Sequence, residues 1–237
     1  MNGLAANLRK YGLTKLYHLA AQENVPSILV RGIYCRERAR EKNVILRDIS
    51  DQRVQHRRRF VPGSKKKIHE FVPLFIATGT PMQWTLTHYS RRHPRREPLS
   101  NEELVVLELD ALRVFRSKGI YFTEGNAASS ATKFFTSPTD LARLDWVIIR
   151  TPNCYSAEYK RKKSAEVLVP NEVSADYIVG IVVFNDKAKR RLRDICRRAF
   201  NKLIGTGVRQ RLRDMNALIR VDRELFFGEA DLSELSF

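Results

Sequence analysis

Residues 159–170, Tyr-Lys-Arg-Lys-Lys-Ser-Ala-Glu-Val-Leu-Val-Pro, set one carboxylate, Glu166, between a run of cations and an apolar strand. A strand alternates its side chains between two faces. With Val167 and Val169 turned into a core, Glu166 and Leu168 turn the other way, which places Glu166 on a cleft wall. A carboxylate there can steady positive charge on a reacting carbon, and the preceding cations can hold a polyanion beside it. The plainer reading is a surface Glu that balances Lys160, Arg161, Lys162 and Lys163 at the mouth of a strand.

The charge of the whole chain favours a polyanion. Its 237 residues carry 43 Lys and Arg against 26 Asp and Glu, a net +17. The excess is clumped: Arg57 to Arg59, Lys65 to Lys67, Arg91, Arg92, Arg95 and Arg96, and Lys160 to Lys163. Such clusters repel themselves unless an anionic partner meets them, and nucleic-acid phosphates do so most directly. A membrane surface fits less well, because the clusters lack the interleaved apolar face of an interfacial helix. No apolar run approaches the roughly 20 residues that cross a bilayer, and the N-terminus lacks a signal core. Cys35, Cys154 and Cys196 are scattered without metal-ligand spacing, so free thiols in the cytoplasm and no metal site are expected.

The elements that must position Glu166 read as a mixture. A helix is expected over 22–33, with Pro26 in its first turn and Gly32 past its end. A second is expected at 48–59, followed by a Pro62-Gly63 turn. Strands are expected at 71–77, where Pro73 marks an edge or bulge, and at 104–109, 119–123, 146–149, 166–169 and 178–184. Helices are expected at 81–90, 126–135 and 138–144, and a basic loop at 91–98. The strongly basic helix 186–203 would bury Leu192, Ile195, Ala199 and Leu203, and Leu218 to Val221 and Leu225 to Phe227 are candidates to close the sheet. Without regular strand–helix alternation or a linker, one α+β domain spanning 1–237 is expected, its basic C-terminal segment at 186–220 included.

Four segments together resemble the DarT family of DNA ADP-ribosyltransferase toxins. They are Leu16-Tyr17-His18-Leu19 with Asn24-Val-Pro-Ser-Ile-Leu; Val54-Gln55-His56-Arg57-Arg58 leading to His69–Phe75 and Pro81-Met82; Phe122–Ala127 leading to Leu144-Asp145-Trp146; and Lys163–Val169. The resemblance implies a split, mostly antiparallel sheet with NAD in its cleft. It also implies cleavage of NAD at the nicotinamide bond, with ADP-ribose moved to a base of single-stranded nucleic acid, thymine in DNA first. RNA is the alternative acceptor.

The same resemblance assigns Glu166 as the catalytic carboxylate, with Arg58 beside it, and places Tyr17, His18, Leu19, Asn24 and Arg58 at the cofactor. Met82, Asn126 and Arg57 fall at the substrate. Arg stays protonated at neutral pH, so Arg58 would clamp a phosphate or the target rather than take a proton. Plainer roles stand beside these: a core His, a solvated basic helix face, and an Asn that caps a helix. The chain departs from the family phrase Asp-Tyr-Val-Pro-Phe-Tyr-Phe, which here is Glu70-Phe-Val-Pro-Leu-Phe-Ile76, so two Tyr hydroxyls are missing. Trp84 and Tyr89 could stack bases. By the same analogy the protein would be a toxin or phage-defence effector held in check by an antitoxin protein. A nucleic-acid-binding module without catalysis, or a transferase acting on protein, are the rival classes.

Overall fold

The computed structural model describes residues 2–44, 47–49, 60–88, 99–152, 156–201, 210 and 214–227. Its strands are β1 (Lys15–Ala21), β2 (Ile33–Tyr34), β3 (Phe71–Phe75), β4 (Leu104–Asp110), β5 (Tyr121–Thr123), β6 (Phe134–Phe135), β7 (Glu166–Pro170), β8 (Glu172–Val173), β9 (Ile178–Val183) and β10 (Ile219–Val221). Its α-helices are α1 (Asn2–Lys10), α2 (Val25–Arg31), α3 (Arg36–Glu41), α4 (Pro81–His88), α5 (Ala111–Phe115), α6 (Trp146–Arg150), α7 (Ala157–Lys163) and α8 (Asp186–Asn201). Strands β2 and β8 form a small pair, and the other eight lie in the order β10-β9-β4-β1-β3-β7-β5-β6. All neighbours run antiparallel except β9 and β10, which are parallel. The expected α+β class and mostly antiparallel sheet are therefore present.

Alternation along the strands builds two cores. Leu16, Ala20, Val72, Leu74, Leu107, Val167, Val169 and Ile181 share the larger one with Ala188, Leu192, Cys196 and Phe200 of α8. Leu19, Ala21, Leu104, Val106 and Val182 face the other way, against Met82, Leu86 and Phe226. Spacing of four residues puts the buried positions of α8 on one stripe. That stripe runs through 188, 192, 196 and 200, rotated from the expected 192, 195 and 199; the fourth expected position, Leu203, lies outside the described residues.

The sheet parts between β1 and β3. Strand β1 pairs with β4 along its whole length but meets β3 at one position, Tyr17–Phe75. Proline explains the gap. The Pro73 carbonyl points toward β1, where it meets His18, and a strand residue sends its N–H and C=O to the same side. The missing Pro73 N–H is therefore a missing ladder donor at the slit.

Two local expectations are corrected. Residues 146–149 are the start of α6, not a strand, because the Asp145 carboxylate accepts the Ile148 N–H at 3.2 Å and caps a first turn that the β-branched run disguises. Residues 126–132 form turns rather than a helix, and 134–135 are strand. The expected helix 48–59 and basic loop 91–98 fall almost wholly outside the described residues.

Candidate active site

Glu166 opens β7 and is 3% exposed. The pairings Gly180–Glu108, Glu108–Tyr17, Tyr17–Phe75 and Phe75–Glu166 set these side chains in one row across one face. Glu166 thus stands at the far side of the slit from Tyr17, with Phe75 between. Its main chain is fixed as well. The Glu166 N–H donates to Thr123 Oγ1 at 3.0 Å, and that hydroxyl lies 2.6 Å from the Gly125 carbonyl, to which it donates. The fully buried Thr123 side chain extends the β5–β7 ladder by one rung, ties the following loop to β7, and was not singled out by sequence.

His18 enters the slit from β1. Its Nδ1 is 3.2 Å from the Pro73 carbonyl oxygen. A carbonyl only accepts, so Nδ1 carries the proton and Nε2 is left as an acceptor in the neutral ring. Burial pushes the imidazole below its usual value, against the opposing pull of that hydrogen bond, and so favours this neutral form. Pro73 and Phe75 are two residues apart, about 7 Å along a strand. The His18 contact and the Glu166 pairing therefore flank the same stretch of β3.

The remaining sequence-nominated residues divide. Tyr17 is half-buried in the row, its phenol raised by burial and by Glu108, with Arg220 opposing. The Leu19 side chain packs in the second core, and Met82 leans on that core from α4. Asn24 is a clamp: its Nδ2 donates to the Arg47 carbonyl at 2.9 Å while its Oδ1 accepts the Arg47 N–H at 2.7 Å. Asn126 opens a turn, its Oδ1 accepting the Ala128 N–H at 2.8 Å. Its own N–H donates to the Arg161 carbonyl at 2.8 Å, so α7 holds the loop that follows β5. Arg57 and Arg58 lie outside the described residues, as do Tyr89 and Cys154.

Glu108 is the residue that sequence reading passed over. Lys15 Nζ approaches one carboxylate oxygen at 2.8 Å and Arg220 Nη2 the other at 2.7 Å. Burial alone would raise this carboxyl, but the two cationic hydrogen bonds hold it below the ordinary carboxylate value. A lone acid inside the apolar run Leu104–Leu109 was the available signal. Nearby, a cavity of about 240 Å³ opens at the strand ends, bounded by Lys15, Tyr17, Ile76, Thr78, Arg150 and Lys163 among others. Among the described residues no group of three or more His, Cys, Asp or Glu could hold a metal ion, and no helix is long and apolar enough to cross a membrane.

A split, mostly antiparallel sheet is the arrangement expected from the four sequence segments. A family model described as ssDNA thymidine ADP-ribosyltransferase, DarT, matches residues 17–215. The chain belongs to the DarT family. Among curated DarT-like relatives, the DNA ADP-ribosyl transferase of Escherichia coli O127:H6 is 24% identical over 189 residues, covering 75% of this chain and 83% of the relative. A DNA ADP-ribosyl transferase–DNA ADP-ribosyl glycohydrolase fusion protein of Thermosipho africanus is 25% identical, covering 76% of this chain and 45% of the fusion. The structure of Thermus sp. 2.9 DarT in complex with ADP-ribosylated ssDNA superposes with a TM-score of 0.72 at 21% identity, covering 91% of this chain and 97% of the other. The same Thermus protein in complex with NAD+ gives 0.69 at 19% identity, covering 91% and 98%. The fold is therefore that of the DarT transferases.

Proposed function

We propose that this DarT-family chain cleaves NAD at the nicotinamide bond and transfers ADP-ribose to a base of single-stranded nucleic acid, with thymine in DNA as first acceptor. One observation carries the reading: Glu166 is buried on β7 across the slit from Tyr17 of β1, and His18, next to Tyr17, reaches the Pro73 carbonyl across the same slit. The donor set suits a ribose. Glu166 and the Nε2 of His18 are acceptors for sugar hydroxyls, and Tyr17 in the same row offers a phenol. The cavity that Tyr17 borders, about 240 Å³, falls short of the roughly 300–1,000 Å³ of a typical ligand pocket. It is too small for a whole dinucleotide.

Glycosidic bonds of this kind break through an oxocarbenium-like centre. Glu166 would accept a ribose hydroxyl, hold the sugar in place and stabilise the charge that builds as nicotinamide departs. Removing one such preorganised group typically costs about 10²–10³ in rate. His18 would orient the sugar through Nε2 while Pro73 fixes its tautomer. Arg58 would clamp phosphate or the target, and Arg57, Met82 and Asn126 are assigned to the acceptor side. Asn126 would act there through the turn it builds. A single strand exposes its base without the few kcal/mol needed to unstack a duplex, and the net +17 supplies cations for its phosphates.

Modified bases block templates, so the protein acts as a toxin or phage-defence effector in the cytoplasm, restrained by an antitoxin protein. The pairing of transferase with glycohydrolase in the name of the Thermosipho africanus fusion supports an opposing partner. RNA is the second acceptor reading, because the departure from the family phrase at Phe75 falls beside Glu166 and bears on the acceptor more than on the chemistry. Matched DNA and RNA oligonucleotides incubated with NAD and weighed by mass spectrometry test both. Adduct on DNA supports the first choice, adduct on RNA alone replaces it, and adduct on neither with modified cell protein overturns the nucleic-acid reading.

A further inference from the structure

We propose that the cavity at the ends of β1 and β3 is a phosphate subsite that holds a phosphodiester of the acceptor strand. This rests on the transfer reading above and adds the place where the strand backbone is gripped. Three cations from three elements line the cavity, Lys15 of β1, Arg150 of α6 and Lys163 of α7, with Thr14 and Thr78 and, among the described residues, no Asp or Glu. Lys15 is shared with Glu108, which Arg220 also pairs. Arg150 is held by a hydrogen bond from Nη2 to the Tyr11 carbonyl and lies over the Trp146 ring at 5.1 Å. Trp146 in turn stacks on Tyr11 at 5.1 Å. Lys163 is 3% exposed, and its Nζ donates to the Ile149 carbonyl at 2.8 Å. Lys15 and Arg150 lie at the surface but are each tethered to a partner, and the buried Lys163 stands behind them, which lowers the ordering cost of binding.

The location fits a strand whose base is presented to Glu166. Ile76 borders the cavity, and its N–H donates to the carbonyl of Ala165, the residue before Glu166. Tyr17 borders it too and belongs to the row that ends at Glu166. Two phosphates could enter such a site, the pyrophosphate of NAD or a diester of the acceptor. A volume of about 240 Å³ with cations on its wall suits one phosphate and part of its sugar, which favours the strand.

The test measures binding of a fluorescent single-stranded DNA oligonucleotide to the full chain without NAD, across a salt series. Wild type is compared with Arg150→Gln and Arg150→Lys, the second of which keeps the charge. Arg150→Gln is expected to weaken binding about tenfold and to lower the salt slope by about 0.7, one phosphate's worth on a single strand. Arg150→Lys keeps the slope, which a merely structural role for Arg150 would not predict. Unchanged affinity and slope in Arg150→Gln overturn the subsite. So does an unchanged oligonucleotide affinity paired with a raised KM for NAD in acceptor-free hydrolysis, which would give the cavity to the pyrophosphate. Because the binding arm contains no NAD, an Arg150-dependent slope in a protein that never cleaves NAD would sink the transfer reading and leave the subsite standing.

Discussion

Thr123→Val removes one hydroxyl at almost constant volume from a side chain that is fully buried. The structure says what that hydroxyl does. It accepts the Glu166 N–H at 3.0 Å and donates to the Gly125 carbonyl at 2.6 Å. Leaving one buried polar group without a partner costs about 1–3 kcal/mol, and two main-chain groups lose theirs here. Partial rearrangement of the loop recovers some of this, so a net loss of about 2–4 kcal/mol is expected. For a chain of this size each kcal/mol moves Tm by about 2–4 °C, so a fall of about 4–16 °C should be seen. Thr123→Ser keeps the hydroxyl and gives up one methyl, about 1 kcal/mol. Differential scanning calorimetry of the three proteins, with NAD-dependent transfer measured on each, separates the two effects. Thr123→Val should lose activity beyond its lost stability, since Glu166 and the loop after β5 come unhitched together. Equal Tm values for the Val and Ser variants would show that the hydroxyl does not hold these two main-chain groups.

Other expectations follow from single observations. Glu108→Gln should cost about 1–3 kcal/mol at pH 7 through its two half-exposed cationic partners. The wild-type Glu108 carboxyl is lowered on folding, so its contribution is present above the unfolded value near 4.3 and lost as pH falls through the lower folded value. Acid denaturation should therefore be flatter below about pH 4.3 in the variant, and parallel curves would contradict this. Gly32→Ala should destabilise by about 3 kcal/mol or more, because φ is +85° and a Cβ would lie 2.3 Å from the Val173 carbonyl oxygen; urea midpoints check it. Cys196 is buried and its thiol is pushed up to about 12 by burial. Iodoacetamide at pH 8 should leave it unlabelled in the native protein and label it in urea, as peptide mass mapping would show.

Much of the slit was legible in residue order. The alternation of Glu166-Val-Leu-Val169 gave the facing of the carboxylate, and Pro73 marked the interrupted ladder. What stayed hidden depends on contacts between distant segments. Trp146–Arg150 has the composition of a strand, and only the cap from Asp145 makes it a helix. Asn24 looked like a ligand for a cofactor, and in space it holds the main chain of Arg47. Glu108 could be seen as a lone acid in a strand, but its partners Lys15 and Arg220 are 93 and 112 residues away. Periodicity reports which face a residue takes; it does not report who waits on that face.

Single-turnover transfer of ADP-ribose from NAD to a thymidine-bearing single strand, comparing wild type with Glu166→Gln at matched Tm, isolates what the Glu166 carboxylate contributes to the chemical step. The buried carboxylate at the slit should be worth about 10²–10³ in the chemical rate, with NAD and strand affinities little changed. Transfer at the wild-type rate by a folded Glu166→Gln protein would contradict it.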